Sequence, residues 1–361
     1  MKYPKNYPIV PLLPFRLNDN VIIRNVGLGC VNENINLGRS YVDKDINISN
    51  CVFSRYSLFS ENGAVVFVYM GSYSMNINYS MFYNCDCSWD GGAIFFFSYN
   101  SYLRMICANR CSASWGHFAF LYVSQVNQVE YLSISNCSHT TSGSYSIRLD
   151  SGNQRVDKTN SSMNNADQVS GIGIIYPLSF TSSHCTFSNN MVSQSICIYF
   201  SSSIYSWPGT ITMSFANIVN NNSQSQYGVF CYEGHNSIQM TYCIFHNNHF
   251  YLFCHDYGSF ELSHSFIDHL SSLICPGDNR GILIETNNTY INRMTYQIDF
   301  FSSHHCITYM PAPSSTIAET MARTYDSECE NSVLSSDGCL RKCSMNVNMN
   351  MFPIFISFVI I

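Results

Sequence analysis

The sequence predicts an all-β fold, a parallel β-helix (solenoid) of about ten or eleven coils with a C-terminal Cys-bearing stalk. Three observations carry that reading. The first is composition. The 361 residues are 46% hydrophobic and 15% aromatic, but only 11% are charged, against about a quarter in ordinary soluble domains. This excludes disorder, which needs low hydrophobicity and high charge. Tyr and Phe, 25 of each, suit strands, and the abundant Ser and Asn suit turns; the sparse Ala and Leu argue against helices. The second observation is a fixed period. Cys85, Cys111 and Cys137 are each 26 residues apart, and the pairs or triplets Trp89/Trp115, Ile77/Leu103/Val129 and Tyr79/Met105/Tyr131 keep the same step. The third is alternation inside each unit, as in Ile77-x-Tyr79-x-Met81 and Leu103-x-Met105-x-Cys107. A period of two places those side chains on one face of a strand.

A unit of this length cannot bury both of its faces alone. Stacking solves the problem, because each coil can pair its strands with the coils above and below, about 4.8 Å away. A propeller blade would need about 40–45 residues, and a sandwich would show hairpin signals without fixed columns.

In chain order, residues 1–20 form a Pro-containing segment. Prolines at 4, 8, 11 and 14 forbid the apolar helical run of a signal peptide. Residues 21–305 are the solenoid. Its Gly-bearing runs, Gly63-Ala64-Val65, Gly91-Gly92-Ala93-Ile94 and Gly116-His117-Phe118, lead from a turn into a strand. Weaker copies continue at Ile211-x-Met213, Ile238-x-Met240 and Phe260-x-Leu262. Residues 139–170 are polar and charged and read as a loop insertion. Residues 306–350 begin with Pro311-Ala312-Pro313 and hold Cys329, Cys339 and Cys343, reading as a linker and stalk. Residues 351–361 are an apolar tail, shorter than the ~20 residues of a helical membrane span; a truncated span or an anchor signal would offer membrane attachment.

Phe187-Ser188-Asn189-Asn190 and Phe245-His246-Asn247-Asn248 fit an FxxN pattern, and Gly91-Gly92-Ala93-Ile94 fits GGA[ILV]. Over roughly residues 45–300 the chain resembles the polymorphic outer membrane protein repeats of chlamydiae and the related β-helix surface proteins of parasitic protists. The resemblance implies a right-handed parallel β-helix at a cell surface, often in adhesion. Phe82-Tyr83-Asn84-Cys85 and Gly63-Ala64-Val65 depart from the pattern. In physical terms, Asn at a stacked turn tolerates a left-handed backbone and can bond its copy in the next coil.

The chemistry-bearing candidates are few. A net charge of −6 gives no field for nucleic acid. The one dense charged group is Asp150, Arg155, Asp157 and Lys158, which would be the acid/base set of a polysaccharide lyase or glycosidase; the alternative is a solvated loop. Trp89 and Trp115 are candidate ligand-facing rings. The 17 cysteines lack close pairs at zinc spacing and read mostly as buried small hydrophobes. His246, His249 and His255 have no carboxylate at fixed spacing and read as turn residues, so no metal or cofactor is expected. Sequons at Asn47, Asn78, Asn136, Asn160, Asn221 and Asn287 are no more than so Asn- and Ser-rich a chain gives by chance. The functional expectation is a non-catalytic cell-surface or secreted module for adhesion or display, with glycans or proteins as partners. The alternative is a carbohydrate-active enzyme.

Overall fold

The computed structural model describes residues 45–268, apart from 50, 59–61, 138–142, 194–195, 203–210, 224–227 and 257. It also describes the strands Cys30–Asn32, Tyr41–Val42, Ile282–Glu285 and Tyr290–Ile291, and residues Ile274 and Cys306. The 1–20 segment, nearly all of the 306–350 stalk with its three cysteines, and the apolar tail lie outside these residues.

The chain folds as a parallel β-solenoid of about eight turns, and further paired strands extend it at both ends. One coil shows the plan. Val169–Ile175 lies on a first face, Ser179–Ser183 on a second and Thr186–Ser188 on a third, and the short strand Met191–Val192 closes the turn. The next coil repeats it with Ile196–Ser201, Ile211–Ser214, Asn217–Val219 and Asn222–Ser223, each pairing parallel with its predecessor. In the coils Ile94–Asn109 and Ala119–Ser135 the three faces run as one continuous strand. Each bends at a residue with positive φ, Met105 at 53° and Tyr131 at 54°.

The columns read from the sequence are the stacked interior. Ile77, Leu103, Val129, Val156, Ser182, Met213, Met240 and Leu262 are register partners from coil to coil. All are buried, because alternate residues of every second-face strand point into the lumen. Phenylalanines stack in the corners, with Phe53 on Phe82 at 5.1 Å and Phe200 on Phe230 at 5.1 Å. Gly91 enters its strand at φ 68°, and a Cβ there would lie 2.0 Å from the Ile94 carbonyl oxygen. Glycine is therefore required at that turn.

Two expectations change. Of the expected insertion 139–170, residues 147–166 belong to the solenoid, and residues 139–142 lie outside the described residues. Ile147–Asp150, Asn153–Asp157, Asn160–Ser162 and Asn165–Ala166 form a regular coil in register on both sides. Its charges sit at outward positions such as Arg148 and Arg155, between the buried Ile147, Leu149 and Val156. The alternation, not the charge, was the structural signal. The two tryptophans also leave register. Asp86 pairs with Ser112, but Asp90 pairs with Trp115, so one residue is lost between them and Trp89 and Trp115 are not equivalent.

Candidate functional site

The four charged candidates do not converge. Asp150 ends a first-face strand, Arg155 and Asp157 lie on the second face, and Lys158 occupies the corner beyond it. Arg155 Nε donates to Asp157 Oδ2 at 2.5 Å, and Ser183 Oγ donates to the other carboxylate oxygen at 2.8 Å. Lys158 Nζ donates to Tyr131 Oη at 2.5 Å and lies 4.5 Å from that ring's centre. His246 pairs with Asp268 at 2.5 Å, and the His249 backbone N–H donates to Asn221 O. The His255 side chain lies outside the described residues.

Asp150 belongs to a different group. Arg148 Nη2 donates to Asp150 Oδ2 at 2.6 Å, and Ser151 Oγ donates to Oδ1 at 3.1 Å. The Arg148 guanidinium carbon lies 5.1 Å from the centre of Trp115, 4.8 Å from Phe120 and 5.3 Å from Tyr145. Three rings on two coils thus enclose one cation. Burial pushes Asp150 upward against the pull of Arg148. Burial also pushes Asp90 up to about 6, and Arg148 only partly offsets that. Trp115 therefore packs against Arg148 and Tyr145, while Trp89 is 53% exposed. Sequence reasoning missed Arg148 and Asp90. The Arg148-x-Asp150 spacing on one strand face was the available signal.

An outward ridge runs between the second and third faces. In successive coils it is formed by Tyr79, Met105, Tyr131, Lys158, His184, Phe215, Tyr242 and His264, all with φ between 48° and 56°. The last four side chains stack. His184 lies 5.0 Å from Phe215 at 13°, Phe215 lies 5.0 Å from Tyr242 at 7°, and Tyr242 lies 4.9 Å from His264. Phe215 and Tyr242 are each 37% exposed. Their backbone N–H groups still donate to the next coil, as Phe215 N does to Thr241 O at 3.0 Å.

A second left-handed column lies one turn on, at Arg55, Asn84, Arg110, Asn136, Met163, Asn189, Asn220 and Asn247. It is mostly Asn, the residue that tolerates this backbone best after Gly. The ridge contains neither Gly nor Asn, although a left-handed backbone costs other residues about 1–2 kcal/mol each. Ring stacking at about 0.5–1.5 kcal/mol per pair offsets part of that cost.

The cysteines divide into two kinds. Cys107 is bonded to Cys306 across 199 residues of sequence, and Cys51 is also disulfide-bonded. Cys85, Cys87, Cys111, Cys137, Cys185, Cys197 and Cys243 are reduced thiols buried in the stack. No protein-family model, curated protein or solved structure matches the chain.

Proposed function

We propose that the chain is a non-catalytic β-helix of the cell surface that binds glycan or protein partners along its outward ridge. The observation that carries this reading is the ridge itself. Eight successive coils hold bulky rings, Met or Lys in a backbone conformation that Asn would adopt at lower cost. A position that repeatedly goes against local preference is a candidate for selection by function. Tyr and His add polar atoms to the ring edges, which suits recognition at low conformational cost. The disulfides at Cys51 and Cys107 fit an oxidising compartment, in keeping with a surface or secreted protein. Replacing Lys158, Phe215 and Tyr242 together by Asn keeps the left-handed turns. The variant is expected to unfold at an unchanged or higher temperature but to lose binding on a glycan array and on intact cells. Undiminished binding by the folded variant would reject the reading.

One observation favours a second reading. Asp90 and Asp150 are both raised carboxyls that feel the charge of Arg148, the kind of grouping an acid/base pair needs. On that reading the D90N and D150N variants would each lose polysaccharide turnover, measured as new reducing ends or unsaturated products. The binding-module reading expects no turnover from the parent protein.

A further inference from the structure

Among the described residues, one inward column is interrupted by a run of three polar residues. The second inward column of the second face runs Met75, Ser101, Asn127, Gln154, Phe180, Ile211, Ile238 and Phe260. All eight are buried, and Ser101 and Asn127 are 0% exposed. Five of them are apolar, and the three polar residues are consecutive. Ser101 Oγ, both amide atoms of Asn127 and Gln154 Oε1 are buried and have no protein hydrogen-bond partner. Buried polar groups are almost always bonded, to protein or to ordered water.

The orientation of Gln154 is fixed independently. Its Nε2 donates to Ser151 O at 3.0 Å and to Leu149 O and Ile175 O at 3.3 Å. Flipping the amide would turn its oxygen toward three carbonyl oxygens, so Oε1 is held as an acceptor facing its column. Above it, Asn127 offers one acceptor and two donor hydrogens, and Ser101 offers a hydroxyl that both donates and accepts. Ser101 is much smaller than Met75 or Phe180 at the same position in other coils, so room opens where the polar atoms gather.

We infer that Ser101, Asn127 and Gln154 form a buried hydration site that holds two ordered water molecules within the lumen. One water donates to Asn127 Oδ1 and Gln154 Oε1. The other accepts from Asn127 Nδ2 and donates to Ser101 Oγ. Each then has two polar partners from this column, the lower end of the range for buried water. The donor set is neutral and small, which suits water better than a cation: no carboxylate belongs to this column, and cation sites are built from several oxygen ligands, usually with charge among them. Met75 and Phe180 close the island above and below, so exchange with bulk solvent requires the coils to open.

The test is the count of long-lived internal waters by ¹⁷O magnetic relaxation dispersion, on the parent protein and on the N127L and Q154M variants. Loss of both waters in N127L and of one in Q154M is the expected result. Equal counts in parent and folded variants would overturn the inference. Gln154→Met preserves side-chain length and keeps the test available if Asn127→Leu fails to fold. A crystal of the parent protein soaked in thallous ion gives the direct image. Water density within hydrogen-bond distance of Asn127 and Gln154, without anomalous signal, supports the site. A thallium peak there, or direct Ser101–Asn127–Gln154 bonds with no density between, rejects it.

Discussion

The same turn position is filled by thiols in one half of the solenoid and by amides in the other. Three residues beyond the third-face corner stand Cys85, Cys111 and Cys137, then Asn164, Asn190, Asn221 and Asn248. Every one is buried. The asparagines bond both ways. Asn190 Nδ2 donates to Ser161 O at 2.9 Å, while its Oδ1 accepts from Asn164 N at 3.1 Å. Asn221 repeats this with Phe187 O and Asn190 N, and Asn248 with Ile218 O and Asn221 N. The thiols make the same two contacts more weakly: Cys85 Sγ reaches Phe53 O and Cys111 Sγ reaches Phe82 O, each at 3.8 Å, and the Cys111 and Cys137 sulfurs accept from the backbone N–H of Cys85 and Cys111. Burial pushes Cys85 and Cys137 upward as acids, so both remain thiols. The lumen inverts the contrast, with its polar island at Ser101, Asn127 and Gln154 and apolar residues in that column from Phe180 onward. The coil therefore does not depend on the ladder residue. The left-handed turn is common to both halves, as is a phenylalanine or aliphatic residue on the third face in every coil but that of Ser161, and the side-chain ladder is an addition to them.

The comparison breaks most sharply at Asn221. Asn221→Ala removes the acceptor for Asn190 N and the side-chain donor to Phe187 O, and leaves the buried Asn190 N–H unpaired. At about 1–3 kcal/mol for the orphaned N–H and about 1 kcal/mol for the lost amide donor, the expected loss is about 2–4 kcal/mol in urea unfolding. A loss below about 1 kcal/mol would show that the amide ladder adds no more than the thiol column does. The burial of Asn221 also excludes its sequon as a glycan site in the folded chain.

Much of this was legible before any coordinates. The 26-residue recurrence gave the stack, and the period-two alternation gave the inward columns, because both are imposed by the pleat and the coil rise. The FxxN pattern marked Asn190 and Asn248. What the sequence could not show is instructive. Nothing about Tyr131 or Phe215 signals a left-handed backbone, because those residues disfavour it; only the stacking of coils holds them there. The Arg148 cluster joins Trp115, Phe120 and Tyr145 across a coil boundary, and the lost residue between Trp89 and Trp115 disguised which tryptophan would reach it. The coil at 147–166 was mistaken for a loop because its outward positions are charged.

The thiol half also carries two opposed titrations. Burial raises Asp90 to about 6 from 3.8 and lowers His117 to about 4 from 6.5. For Asp90 the folded state takes up its proton first, so stability rises as pH falls from above 6 toward 4. For His117 the unfolded state takes up its proton first, so stability falls over nearly the same window. Each shift corresponds to about 3 kcal/mol, and the two nearly cancel, with Asp86 and Asp150 adding to the Asp90 sign. Asp90→Asn should therefore make the protein lose stability on acidification from pH 7 to 4.5 relative to the parent. His117→Gln should do the reverse. Denaturant titrations at the two pH values check both signs; parallel profiles for parent and variants would refute the assignment.

The smallest effect is the most direct exchange between the two halves. Cys111→Asn places an amide where Cys85 and Cys137 flank it in register. By analogy with Asn190, its Nδ2 would donate to Phe82 O, already the partner of the Cys111 thiol. Its Oδ1 would accept from Cys85 N, the backbone group that already donates to the Cys111 sulfur. The gain of stronger partners and the cost of fitting a larger, polar amide into a stack shaped for thiols are each about 1 kcal/mol, and the net change should lie within about 1 kcal/mol of zero. Cys111→Ala should instead cost about 1–2 kcal/mol, since it only removes volume from a closed stack. If Cys111→Asn proved as damaging as Asn221→Ala, the thiol and amide turns would differ in backbone shape and not only in side chain. The shared left-handed residues Arg110 at 56° and Asn220 at 55° argue that they do not.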